Sequence, residues 1–173
     1  MLETKRLIIR RLKKEDTQQV LAILNTDFAN KYNICGPINE AIVWKMAEYA
    51  LSFVLVLKET DQLIGIVGVE KDYLRYNMKS VSLTYVLDED YEGEGYMYEA
   101  LKEIIYDIFT RLERRLISLR IANVNQKSIN LAKRLGFYYD GMIKMGTRKE
   151  DGTIYDDLLF SLTKEDFEGN IEL

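Results

Sequence analysis

The chain has 173 residues, 47% of them hydrophobic and 30% charged, and a formal net charge of −4. That balance suits one soluble globular domain and argues against a nucleic-acid binder, which needs a basic face for phosphates. Histidine is absent and Cys35 is the one cysteine, which excludes Ser-His-Asp and Cys-His catalysis, a His/Cys zinc site and an intrachain disulfide. The opening MLETKRLIIRRL has no apolar signal core, and apolar runs stay below the ~18 residues a span requires. No membrane partner is therefore expected, and the location expected is cytoplasmic.

Residues 4–12, TKRLIIRRL, read as a first strand, with Leu7 and Ile9 on one face and Ile8 and Arg10 on the other. Residues 14–25 read as a helix, with Asp16 and Thr17 near its start and Val20, Leu21 and Leu24 at helical spacing. A second helix over 39–50 is expected to carry an apolar stripe of Ile42, Met46 and Tyr49. Three strands follow, Ser52–Lys58, Leu63–Lys71 and Lys79–Leu87, with a turn at Asp61-Gln62. In the last of them Ser82, Thr84 and Val86 face one way and Val81, Leu83, Tyr85 and Leu87 the other.

Residues 96–112 form the clearest helix, with Met97, Leu101, Ile104, Ile105, Ile108 and Leu112 along one stripe. A strand at 115–122 precedes a short helix near 126–135 that stops at Gly136. Two closing strands, 138–148 and 153–162, meet at Asp151-Gly152, a hairpin signal. No linker or repeat divides the chain, so residues 1–173 are expected to form one domain. Strands before and between helices indicate an α/β or α+β sheet layered with helices.

Two stretches carry chemistry. The first runs from Tyr85 to Ala100, YVLDEDYEGEGYMYEA: a strand ends, two glycines lie one residue apart, and a long helix begins. Glycine allows close backbone approach and the first helical N–H groups are free, so this is an anion cradle. A plain sharp turn uses the same residues. It is neither a Rossmann fingerprint nor a P-loop, because the third glycine and the Gly-Lys-Ser/Thr are missing. The second stretch, NQKSINLAKRLGF from Asn125 to Phe137, reads locally as a helix with an Asn-containing start and a glycine end.

In order and spacing, these stretches resemble the GNAT acetyltransferases, particularly the branch containing the ribosomal-protein N-terminal acetyltransferases. The resemblance also rests on Thr4-x-Arg6-Leu7-x-Ile9-Arg10, on Glu99-Ala100-Leu101, on Gly141 and on the hairpin Asp151-Gly152-x-x-Tyr155-Asp156. It implies a mixed, mostly antiparallel sheet of about seven strands, splayed between the fourth and fifth, with helices on both faces. It also implies acetyl-coenzyme A as co-substrate and no metal. Carried over, the backbone of Gly93, Glu94, Gly95, Tyr96, Met97 and Tyr98 holds the cofactor's pyrophosphate. Tyr85, Val86 and Leu87 bond its pantetheine arm, Asn125 contacts that arm, and Ser128 lies near the leaving thiolate. The catalytic candidates are Ser128 and Tyr85.

Several positions depart from the family pattern. Glu92 stands where Gln, Arg or Trp is usual, and Met97 where a small residue leaves room for the ligand. Ala132 occupies the place of a proton-donating tyrosine, and Ser82 and Arg120 occupy those of the usual basic carboxylates. Asp88, Glu89, Asp90, Glu92, Glu94 and Glu99 crowd 88–99 without a Lys or Arg. They either repel a phosphate or form a solvated rim, with Lys127, Lys133 and Arg134 as possible compensation. Water-mediated proton transfer to Glu70 is one route for the base.

The reaction expected is direct attack of a neutral primary amine, on a protein N-terminus or a small molecule, upon the thioester. Proximity and a backbone N–H near Val86 or Leu87 supply most of the assistance. The alternatives are a non-catalytic acyl-CoA-binding module and a protein-interaction module that keeps only the fold. A monomer or a homodimer is expected, and the acceptor pocket is expected to draw on 25–50 and the hairpin.

Overall fold

The computed structural model describes residues 1–32 and 37–171; Cys35, and with it part of the 25–50 segment, lies outside them. The described chain falls into two compact units. One comprises Met1–Glu70 with Thr84–Ile104, the other Lys71–Leu83 with Ile105–Leu173.

In the first unit the strands are β1 (Leu2–Glu3), β2 (Leu7–Arg11), β3 (Leu51–Leu57), β4 (Leu63–Lys71) and the end of β5 (Ser80–Leu87), in that order. β2 pairs antiparallel with β3 from Leu7↔Leu57 to Arg11↔Phe53. β3 pairs antiparallel with β4 through a bulge at Leu55/Val56. As the alternation requires, Leu7 and Ile9 are fully buried.

Helices α1 (Thr17–Leu24), α2 (Asp27–Asn30) and α3 (Glu40–Tyr49) belong to the same unit. Their core joins Leu12, Val20, Ile23, Leu24 and Val43 to Val54, Val56, Leu63 and Ile66 of the strands, with Val86 packed against it. A 3-10 turn, Lys14–Asp16, precedes α1. It is fixed by Arg10, which donates from both terminal nitrogens to the buried Asp16 carboxylate at 2.7 and 2.8 Å.

The expected stripe on α3 is corrected by one position. Val43 is the fully buried residue, with Met46 and Ala47 partly buried beside it, whereas Ile42 is 40% and Tyr49 84% exposed. Both sets have near-helical spacing, so periodicity could not choose between faces a fraction of a turn apart. Asn39 caps the helix, its side chain accepting from the Ile42 N–H at 3.1 Å.

In the second unit the strand order is β5, β6 (Leu116–Ala122), β8 (Ile154–Thr163), β7 (Tyr138–Arg148). β5 and β6 form a parallel ladder of Ser80↔Leu116, Val81↔Ile117 and Ser82↔Ser118. β6 and β8 pair antiparallel from Leu116↔Thr163 to Ala122↔Asp157. The β7–β8 hairpin is interrupted at Tyr139/Gly141 and Ile143/Thr147. Helices α5 (Gln126–Arg134) and α6 (Lys164–Ile171) complete this unit, and α4 (Tyr96–Thr110) begins in the first unit and ends in the second.

The mixed, mostly antiparallel sheet expected is present, with eight strands among the described residues rather than about seven. The additional one is β1, whose two residues are too few to show a period. Helix α6 was likewise not expected; its anchor is Phe167, 5.4 Å from Phe109 between ring centres. No described helix is long and apolar enough to cross a membrane.

Candidate functional site

At the end of β5 the Asp88 N–H donates to the Ile64 carbonyl at 2.8 Å. A Cβ added to Gly65 would lie 2.9 Å from the Val86 carbonyl oxygen. Residues 86 and 88 therefore turn their backbone groups toward β4, and strand alternation turns those of Tyr85 and Leu87 the opposite way. The Tyr85 side chain shares its face of β5 with the buried Val81 and Leu83 and is itself half-buried.

Asp88 then starts a 3-10 turn, Glu89–Tyr91, its carboxylate accepting from the Asp90 N–H at 3.2 Å. The next turn depends on two glycines in the left-handed region, Gly93 at φ 81° and Gly95 at φ 79°. α4 begins at once with Tyr96, its first hydrogen bond running from the Glu99 N–H to the Gly95 carbonyl at 3.0 Å. A Cβ at Gly93 would meet nothing within 4 Å, so the loop is open there. The Tyr96 ring stands edge-on to Tyr91, centres 6.2 Å apart, and the Tyr91 hydroxyl donates to Gln62 Oε1 at 2.8 Å.

Met97 is buried at 7% exposure; it is turned inward and leaves the loop clear. The acidic residues of 88–99 divide by role. Glu89, Asp90 and Glu94 are exposed, Asp88 is a cap, and Glu99 points inward to Thr4 and Arg6. The Arg6 N–H donates to Glu99 Oε1 at 2.9 Å, Arg6 Nε donates to Oε2 at 2.7 Å, and the Thr4 hydroxyl donates to Oε1. Burial raises the Glu99 pKa, but these hydrogen bonds outweigh it and hold the carboxyl below its ordinary value.

Elsewhere in this unit, the exposed Glu70 accepts from the Thr84 hydroxyl at 3.3 Å. The pair thus sits on the face of β5 that carries Val86.

In the second unit Asn125 is the cap of α5. Its Oδ1 accepts from the Ser128 N–H at 3.2 Å, and its own N–H donates to the Ala122 carbonyl at 2.8 Å. Ser128 is half-buried on the first turn. Ala132 is fully buried, so a tyrosine there would need the packing around it to open. Ser82 and Ser118 tie the parallel strands, Ser118 Oγ donating to the Val81 carbonyl at 3.3 Å. Arg120 Nε donates to the buried Asp157 carboxylate at 2.6 Å, and the Thr147 hydroxyl donates to the same oxygen at 2.8 Å. Arg120 thus neutralises a buried acid.

The candidate residues accordingly gather in two places: Tyr85–Leu87 with Gly93–Tyr98 in the first unit, and Asn125 with Ser128 in the second. The Arg6–Glu99 ion pair is not legible in the sequence. Its trace there was Thr4-x-Arg6 and an acidic residue in the first turn of α4, 93 positions apart.

A model of the acetyltransferase (GNAT) domain matches residues 6–138. Over 97% of this chain and 98% of its own length, the uncharacterized N-acetyltransferase p20 of Bacillus licheniformis is 25% identical. The ribosomal-protein-serine acetyltransferase of Escherichia coli strain K12 is 30% identical over 64% of this chain and 58% of that one. A GNAT-family acetyltransferase from Bacillus anthracis has the same fold, with a TM-score of 0.83 at 18% identity, covering 94% of this chain and 98% of that one.

Proposed function

Since this chain belongs to the GNAT family and is an acyl-CoA-dependent acetyltransferase, we propose that it acetylates a primary amine by direct attack on acetyl-coenzyme A. The acceptor is a protein N-terminus or a small amine. The observation that carries this reading is the loop from Glu92 to Tyr98, two glycines at positive φ opening directly into α4. Its fit to a pyrophosphate is supported by the open space over Gly93 and the inward turn of Met97. The free N–H groups at a helix start add to that fit. The family match runs from residue 6 to 138 and thus through both units, which supports one acetyltransferase domain over 1–173.

Acetyl-coenzyme A supplies the activated acyl group. The amine nitrogen attacks the carbonyl carbon, the C–S bond breaks, the thiolate takes up a proton and the new amide nitrogen gives one up. Backbone orientation favours Tyr85 and Leu87 as partners of the pantetheine arm, with the Leu87 N–H toward the developing oxyanion. The Val86 carbonyl is turned to β4. Asn125 and Ser128, at the start of α5 in the second unit, are carried as candidates for the cofactor arm and the leaving thiolate on the family resemblance alone. Glu70, beside Thr84, takes the amine's proton through water. The likeness to a protein named ribosomal-protein-serine acetyltransferase supports including protein-derived peptides among the acceptors tried.

A thiol-release screen of acetyl-coenzyme A against N-terminal peptides, polyamines, amino acids and aminoglycosides tests this reading. Release with one class identifies the acceptor. The buried Ala132 favours a second reading, a binding module without turnover; cofactor binding with no release across the panel would establish it. Absence of binding would overturn both.

A further inference from the structure

Between Asp88 and Glu99 there are six acidic residues and no basic one, yet the reading above sets a pyrophosphate against this stretch. A cation reaches this stretch from a distant part of the chain, in the same unit. Arg6, just ahead of β2, donates from Nε to Glu99 Oε2 at 2.7 Å and from Nη1 to the Glu94 carbonyl at 3.0 Å. Its guanidinium carbon lies 4.1 Å from the centre of the Tyr96 ring. Its Nη2 would be 3.8 Å from a Cβ on Gly95. One planar group therefore touches Glu94, Tyr96 and Glu99 and lies beside Gly95.

We propose that Arg6 is the positioning residue of the cofactor loop. It fixes the shape in which the backbone from Gly93 to Tyr98 is presented, and it cancels the Glu99 charge in the first turn of α4. This rests on the reading of that loop as the pyrophosphate site. The arrangement requires arginine: a fork can bond a carboxylate and a carbonyl while its face stacks on an aromatic ring, and a lysine ammonium cannot do all three. A role confined to holding the fold together would instead leave ligand discrimination untouched.

The test compares coenzyme A with pantetheine, which lacks the pyrophosphate, using calorimetry for the first and chemical-shift titration for the second. Arg6→Met is expected to raise the Kd of coenzyme A by about 10- to 100-fold, the loss of a charge-assisted anchor. The Kd of pantetheine is expected to stay within about twofold, and Arg6→Lys to recover no more than about threefold for coenzyme A. Tyr96→Leu, which removes only the stacking face, is expected to shift coenzyme A affinity in the same direction by less, and serves if Arg6→Met does not fold. Equal losses for both ligands, full rescue by lysine, or unchanged coenzyme A affinity in the folded variants would overturn the proposal. If Gly95→Asp also binds coenzyme A normally, the pyrophosphate site itself is misassigned. If Gly95→Asp loses binding while Arg6→Met keeps it, only the role of Arg6 fails.

Discussion

Replacing Gly95 with aspartate separates the two demands made on the loop, its backbone conformation and its affinity for an anion. At φ 79° a non-glycine residue pays about 1–2 kcal/mol, and aspartate, which tolerates this region, falls near the low end. The new Cβ would meet only Arg6 Nη2, at 3.8 Å, which is ordinary contact, so no overpacking is added. The variant should therefore fold, with a melting point lower by about 2–4 °C for a domain of this size.

Binding should respond far more strongly. A carboxylate about 4 Å from a phosphate charge, at an effective dielectric of about 20, is repelled by about 4 kcal/mol, or roughly 1000-fold in Kd. The neighbouring Arg6 offsets part of this, so the expected loss is at least about 100-fold. Gly95→Ala carries the strain without the charge. Gly93→Ala meets nothing within 4 Å and should stay within about tenfold of the native affinity. Thermal melts report the fold and calorimetry with coenzyme A reports the affinity. A folded Gly95→Asp protein with native affinity would refute the placement of the pyrophosphate.

Glu99 is held below its ordinary pKa of 4.5 because hydrogen bonds from Thr4 and Arg6 outweigh the effect of burial. Its contribution is fully present above the unfolded carboxyl value and is lost as pH falls through the folded one. Urea midpoints for the native protein and Glu99→Gln should thus differ at neutral pH and converge in acid; a constant difference would contradict the assignment. Val43→Ala should cost about 1.5–3 kcal/mol because Val43 is fully buried. Ile42→Ala, at 40% exposure, should cost less than about 0.5 kcal/mol; chemical denaturation showing the reverse would restore the other face of α3. Ser128→Ala should slow turnover by no more than about 100-fold in a thiol-release assay, the lower end for loss of a proton donor. Abolished turnover with cofactor binding intact would make Ser128 indispensable.

Much of this protein is determined by local sequence. The stripe from Met97 to Ile108, the alternation of Leu7 and Ile9, the cap at Asn125 and the strand–glycine–helix turn are each written in consecutive residues, because period and backbone permissiveness are local properties. Two-residue β1 and the anchoring of α6 by Phe167 left no comparable pattern. Which face of α3 is buried also depended on the sheet, since Val43 rather than Ile42 joins the core that holds Val54 and Ile66. The acidic loop shows the same division. Sequence alone displays six carboxylates without a cation, and only the folded chain brings Arg6 onto Glu99 across 93 positions and turns Met97 inward. Charge pairing and burial are set by which elements the tertiary fold brings together, and that pairing is not encoded within any one segment.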